Sequence, residues 1–320
     1  MLSWVVYGGL LKSRRRTPNK NAERRLWGAK IVKLTAMKLV AAAPVLFSLT
    51  ACGGTTIEEL LATSGTYAAL NDTTTSTSTS STSTMGGVAV RVASDADDFD
   101  VVAMTGSLNH NTGKVVISDG QYSLVDGDGF DYDGLATDGN GEVLLLVYTY
   151  GTQTYDYASV FAEVYTVGGV DYYLSGVGGI VTQEGDMPNS GYAIYVGDAA
   201  GMGVDSWGEF DLYGGTATAN ANFGQGTVDL EIADLYLDDG VNLYEAGGIA
   251  FNDMTINGNG FSGGTMVENF SNINIGTGGE GIAEGVFFGY DQGEAGPDEV
   301  GGVIVFESSD AAIYLDFLAD

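Results

Sequence analysis

From Gly86 onward the chain shows no sustained helical period, and short β-branched and aromatic runs alternate with Gly, Asn and Asp. That pattern constrains the fold most, because a period of two broken by residues tolerant of positive φ describes strands joined by hairpins. In Thr216–Phe223, Ala217, Ala219, Ala221 and Phe223 share one face and the polar residues share the other. Thr227–Ile232 points Val228, Leu230 and Ile232 inward and Thr227, Asp229 and Glu231 outward. Asn140-Gly141, Asp239-Gly240 and Asn257-Gly258 are tight-turn sequences. Eight strands are expected near Tyr192–Val196, Gly208–Phe223, Thr227–Leu235, Ile249–Ile256, Phe261–Val267, Ser271–Ile275, Ile282–Tyr290 and Val300–Phe306. Eight can close an antiparallel barrel filled by its own side chains. The expected class is therefore all-β, with an eight-stranded β-barrel over 186–306 and a short tail over 307–320. Further strands, including Val143–Tyr150 and Tyr157–Val167, make 86–185 a strand-rich region ahead of the barrel.

Charge narrows the function. Ten of the twelve basic residues lie at or before Lys38, and from Cys52 onward 41 acids face only Arg91 and Lys114, a net charge of −39. Such a surface repels phosphate backbones and excludes nucleic acid as a partner.

Residues 37–51 read as a secretory signal: Lys38 follows Met37, Leu39–Leu49 is apolar, and Leu49-Thr50-Ala51-Cys52 closes it. That end resembles a bacterial lipobox, which implies cleavage before Cys52, lipidation (palmitate and diacylglycerol) of the new terminus, and Leu49, Thr50 and Ala51 as the peptidase recognition residues. Gly53 in place of an aspartate favours sorting to the outer membrane. Residues 1–36 are basic and unlike the rest, and read as a misassigned upstream extension, with a twin-arginine signal around Arg14-Arg15-Arg16 as the alternative. Residues 52–85 read as a tether, because Thr73–Thr84 is twelve consecutive Ser/Thr residues.

Four short segments, in order, resemble the β-barrel domain of transferrin-binding protein B-like surface lipoproteins. They are Met187–Gly197, Gly215–Val228, Asn257–Gly263, and Gly285–Gly289 followed by Gly296–Val303. The resemblance implies an eight-stranded barrel, a handle-like domain in the strand-rich region before it, and a non-enzymatic ligand-capturing lipoprotein at the cell surface or periplasmic face of the outer membrane. It also implies partners in iron or haem uptake or host-protein capture, with a surface translocon or a TonB-dependent receptor nearby. It does not specify the ligand.

Local chemistry adds little. Asp126, Asp128, Asp131 and Asp133 alternate through a Gly-rich loop and are candidate oxygen ligands for Ca²⁺, although the spacing fails the EF-hand rule in every register. No other cofactor is expected. His110 is the only imidazole a haem could use and sits in a turn-like sequence, while Tyr148, Tyr150, Tyr155 and Tyr157 read as cross-strand pairs or as parts of an exposed aromatic patch. No Gly-x-Ser-x-Gly elbow, phosphate loop or dinucleotide fingerprint is present, so an enzyme is not expected. The alternative function is a structural or adhesive acidic surface protein. A porin-like barrel fits less well, because Asp229 and Glu231 occupy the outward face.

Overall fold

The computed structural model describes Leu70 and residues 82–93, 99–109, 114–118, 123–125, 135–137, 143–147, 149–150, 153–290 and 296–320. It is an all-β protein of two curved sheets. The first contains β1 (Thr82–Ala93), β2 (Phe99–Asn109), β3 (Lys114–Ser118), β4 (Ser123–Val125), β5 (Leu135–Thr137) and β6 (Val143–Val147). After a small ribbon of β7 (Thr149–Tyr150) and β8 (Gln153–Thr154), β9 (Ala158–Val167) and β10 (Val170–Ile180) complete it. Its strand order is β4-β3-β2-β1-β10-β9-β6-β5.

The second sheet follows a short 3-10 turn at Glu184–Asp186. It comprises β11 (Tyr192–Asp205), β12 (Gly208–Asn222), β13 (Thr227–Asp238), β14 (Leu243–Asn257), β15 (Gly260–Ser262), β16 (Thr265–Phe270), β17 (Glu280–Phe288), β18 (Glu299–Glu307) and β19 (Ala311–Ala319). Its order runs β13-β12-β11-β19-β18-β17-β15-β14, and β14 pairs back with β13, closing a ring of eight antiparallel strands. The ninth segment, β16, pairs with the edge of β14 that β15 also uses. Gly263 and Gly264, at φ 80° and 88°, break what would otherwise be one strand into these two.

The interior follows from the alternation. Ala217, Ala219 and Ala221 form a low wall on β12, while Phe251, Phe261, Phe287, Phe306 and Phe317 fill the space opposite, with Leu230 and Leu315 between. Small residues facing large ones let a narrow barrel close without a void. A Cβ on Gly285 would collide with the Phe261 ring, so glycine is what seats that aromatic.

The first sheet packs on the outside of β17, β18 and β19. Val88, Val90 and Val177 meet Val303, Val305, Tyr314 and Leu318. This contact explains why β18 and β19 are buried on both faces and lose the polar–apolar alternation, with Asp316 of β19 buried and accepting from the Tyr314 hydroxyl at 2.9 Å. The other face of the first sheet has its own core of Met85, Met104, Leu108, Phe161, Tyr165 and Leu174, joined by Leu70.

Three details differ from the sequence reading. Ser271–Ile275 is no strand: Asn272 adopts φ 58° and the Ile275 N–H bonds to the Ile273 carbonyl, which bends the chain over the barrel end. The eighth barrel strand is instead β19, in the segment 307–320 expected to be a tail; it hydrogen-bonds β18 on one side and β11 on the other. The Ser/Thr run expected to be wholly tether enters β1 at Thr82, where Ser83 is buried against the sheet.

Candidate functional site

A group of hydrogen bonds joins the two sheets where β18 begins. Glu299 is buried, and its carboxylate accepts the backbone N–H groups of Asp156, Tyr157 and Ala158, the Ala158 bond being 2.7 Å. Burial raises its pKa to about 7, against the opposing pull of these donors. Tyr155 donates to the Leu318 carbonyl at 2.6 Å, and the Asn259 side-chain amide donates to the Thr182 carbonyl at 2.9 Å. These clasps make a support, not a site. Tyr155, read from the sequence as a cross-strand partner, is a buried strut between the sheets.

The barrel interior is full, and a hollow in the first sheet lined by Met85, Gly86, Met104, Thr105 and Gly178 is too small for a water molecule. Among the described residues no group of three or more His, Cys, Asp or Glu is placed to hold a metal ion.

Two hairpin tips at one barrel end stand out. Between β11 and β12, Asp205 is buried; its Oδ1 accepts the N–H groups of Trp207 (2.7 Å) and Gly208 (3.2 Å), and its Oδ2 accepts that of Asn274 (3.0 Å). Asn274 also donates to the Ser206 hydroxyl at 2.7 Å, so one carboxylate and one amide tie the tip to the loop between β16 and β17. The result is a fixed turn that holds Trp207 outward at 75% exposure.

Between β13 and β14, Asp238 accepts the Gly240 N–H, and Asp239 accepts those of Val241 and Asn242. These donors hold the Asp239 carboxyl below its usual range. Gly240, at φ 84°, supplies the left-handed turn residue that Asp239-Gly240 announced. This second tip presents Val241 at 84% exposure, followed by the exposed Leu243 and Tyr244. The register pairs Asp211 with Asp238 and Tyr213 with Tyr236; three residues further it would set Gly208 opposite Val241. Trp207, Val241, Leu243, Tyr244 and Tyr236 thus share one end of the barrel.

Carboxylates are frequent at this end of the barrel. Glu209, Asp238, Asp239 and Glu245 are close by in sequence and register, and no Lys or Arg occurs after Lys114. Burial, with the Asp238 charge, raises the Asp211 pKa. An exposed aromatic and aliphatic cluster held by rigid turns, with an anionic rim, is suited to a protein surface carrying Lys or Arg.

The sequence-derived candidates Leu49, Thr50, Ala51, Cys52, His110 and Asp126, Asp128, Asp131 and Asp133 lie outside the described residues. Sequence reasoning missed Trp207 and Val241. The one available signal was a tryptophan in the turn-forming run Asp205-Ser206-Trp207-Gly208, where burial was not to be expected.

No family model matches the sequence, and no curated protein matches it. Among solved structures, the chain is similar to a variant of transferrin binding protein B from Haemophilus parasuis, with 16% identity and a TM-score of 0.43, over 72% of this chain and 44% of that one. It is similar to isotype 1 transferrin binding protein B from serogroup B Neisseria meningitidis at 16% identity and a TM-score of 0.40, over 72% and 42%. A surface lipoprotein matches at 14% identity and a TM-score of 0.37, over 74% of this chain and 98% of its own. The matches take in less than half the length of the transferrin binding proteins. These are likenesses of fold.

Proposed function

We propose that the chain is a bacterial outer-membrane lipoprotein, anchored through Cys52, that captures a protein ligand on the Trp207 and Val241 hairpin tips. The ligand class is an iron- or haem-carrying host protein, delivered to a TonB-dependent receptor, and a surface translocon places the lipoprotein outside. The observation that carries this reading is the exposed cluster of Trp207, Val241, Leu243 and Tyr244 on carboxylate-braced turns at one barrel end. The lipobox and the four barrel-like segments behind it support the anchor and the class. A filled barrel argues against a small ligand inside it.

The test is surface plasmon resonance with immobilised protein against purified transferrin, lactoferrin and haemoglobin, alongside free haem followed by absorbance. The expected result is binding of one carrier, lost when Trp207→Ser and Val241→Ser are combined, with unchanged thermal unfolding. Binding of no carrier, or equal binding by the double variant, would sink the proposal.

A further inference from the structure

The other end of β11 is only half paired. Its residues Tyr192–Val196 face Asn222–Thr218 of β12, whereas β19 first meets β11 at Gly197 opposite Ala319. The last contact on that side is the Val196 N–H donating to the Asp320 carbonyl at 3.0 Å. In an antiparallel strand the N–H and C=O of one residue point to the same neighbour, and the side alternates along the chain. Because Val196 points toward β19, the backbone groups of Ile194 and Tyr192 point the same way, past the end of β19. Among the described residues no strand pairs with them there. Nearby, the Tyr195 hydroxyl donates to the Pro297 carbonyl at 3.0 Å.

The side chains on this edge are apolar and exposed: Tyr192 at 79%, Ile194 at 67% and Val196 at 43%. Proteins usually blunt such an edge with charge, proline or a bulge. Gly191–Gly197 contains no charge and no proline. Carboxylates flank it, with Glu184 and Asp186 before it and Asp198 and the exposed Asp320 at its far end. Residues 52–320 carry a net charge of −39, so a second copy would set like charge against like charge, and charge favours a cationic occupant.

We infer that the open edge of β11 at Tyr192–Ile194, up to the point where Asp320 caps Val196, binds an extended segment of a basic partner protein as an added antiparallel strand. Alternate apolar side chains of that segment pack on Tyr192, Ile194 and Val196, and its flanking Lys or Arg residues pair with the carboxylates at either end. This edge lies at the opposite barrel end from Trp207, about 40 Å away along β11 at roughly 3.3 Å per residue. It is therefore independent of the capture surface above.

The test uses the full chain and the peptide Lys-Lys-Val-Thr-Val-Thr-Val-Lys-Lys. Hydrogen exchange at the Tyr192 and Ile194 amides should slow at least tenfold on saturation. N-methylation of the valines, two of which set their amides opposite Tyr192 and Ile194, should abolish this, and N-methylation of the two threonines should not. Ile194→Ser should weaken binding at least tenfold without shifting the unfolding midpoint. The inference is overturned if the peptide does not bind, or if the valine-methylated peptide binds as well as the parent, which would mean charge attraction alone. It is equally overturned if protection appears elsewhere, if Ile194→Ser binds like wild type, or if the same amides are already protected in a self-associated chain without peptide.

Discussion

Truncating Leu230 to Ala tests the inward–outward assignment on which the barrel rests. Leu230 lies in the middle of β13, 1% exposed, paired with Ala219 on β12 and Phe251 on β14. Removing three carbons forfeits about 2.4 kcal/mol at ~0.8 kcal/mol per buried methylene. The neighbouring wall of Ala217, Ala219 and Ala221 has no long side chain that could swing into the gap. A residual void of about 50 Å³ would add about 1.2 kcal/mol at ~24 cal/mol per Å³. The expected loss is thus about 3.5 kcal/mol. The control is Glu231, one residue away and exposed, where Ala should change stability by no more than about 0.5 kcal/mol. Asp229 is the less suitable control, although it is equally outward. Its Oδ1 accepts the Asp253 N–H at 2.8 Å, where Asp253 holds φ 58°, so Asp229→Ala should cost about 0.5–1.5 kcal/mol. Urea unfolding of the chain from Gly53 onward, without detergent, reads all three, and the start must precede Leu70 because that residue is part of the first sheet's core. If Leu230→Ala unfolds like wild type, or Glu231→Ala costs as much as Leu230→Ala, the assignment is wrong.

Glu299 should make stability pH-dependent: its folded pKa of about 7 lies above the unfolded value near 4.5, so its contribution is complete below about 4.5 and lost as pH rises through 7. The span corresponds to about 3 kcal/mol, and the difference in urea-derived unfolding free energy between wild type and Glu299→Gln should change by that order between pH 5 and 8; a constant difference would refute the shift. Cys52→Ala should move the protein out of the detergent phase in phase partitioning, and identical partitioning of the two forms would remove the anchor. If Asp126, Asp128, Asp131 and Asp133 bind Ca²⁺, a hundredfold excess over Kd should stabilise by about 2.7 kcal/mol and raise Tm beyond NaCl of equal ionic strength, whereas equal responses would mean charge screening alone.

The barrel was legible wherever one face meets the core and the other meets water, as along Thr216–Phe223 and Thr227–Ile232. It became illegible where a second sheet covers the outside. Ala311–Ala319 is buried on both faces because Tyr314 and Leu318 pack under the first sheet, so its polar–apolar alternation vanishes and with it the sign of a strand. Ser271–Ile275 failed in the opposite way, since Ile273 and Ile275 keep the right spacing while facing the barrel end from a loop. The candidate site was less readable still. Period two tells inside from outside but not which turn stays uncovered, and it gives no hint that Glu299 reaches partners 141 to 143 residues earlier.

The exposed position of Trp207 has a spectroscopic consequence. The other tryptophans, Trp4 and Trp27, both precede Cys52, so a chain cut before the cysteine keeps a single indole. The fluorescence of the processed protein would then report one hairpin tip and nothing else, with a red-shifted maximum open to iodide quenching in the free state. Any partner that seats on that tip would shift the emission to the blue and shield it from the quencher, with no label attached. A ligand bound at the far edge of β11 would leave the signal untouched.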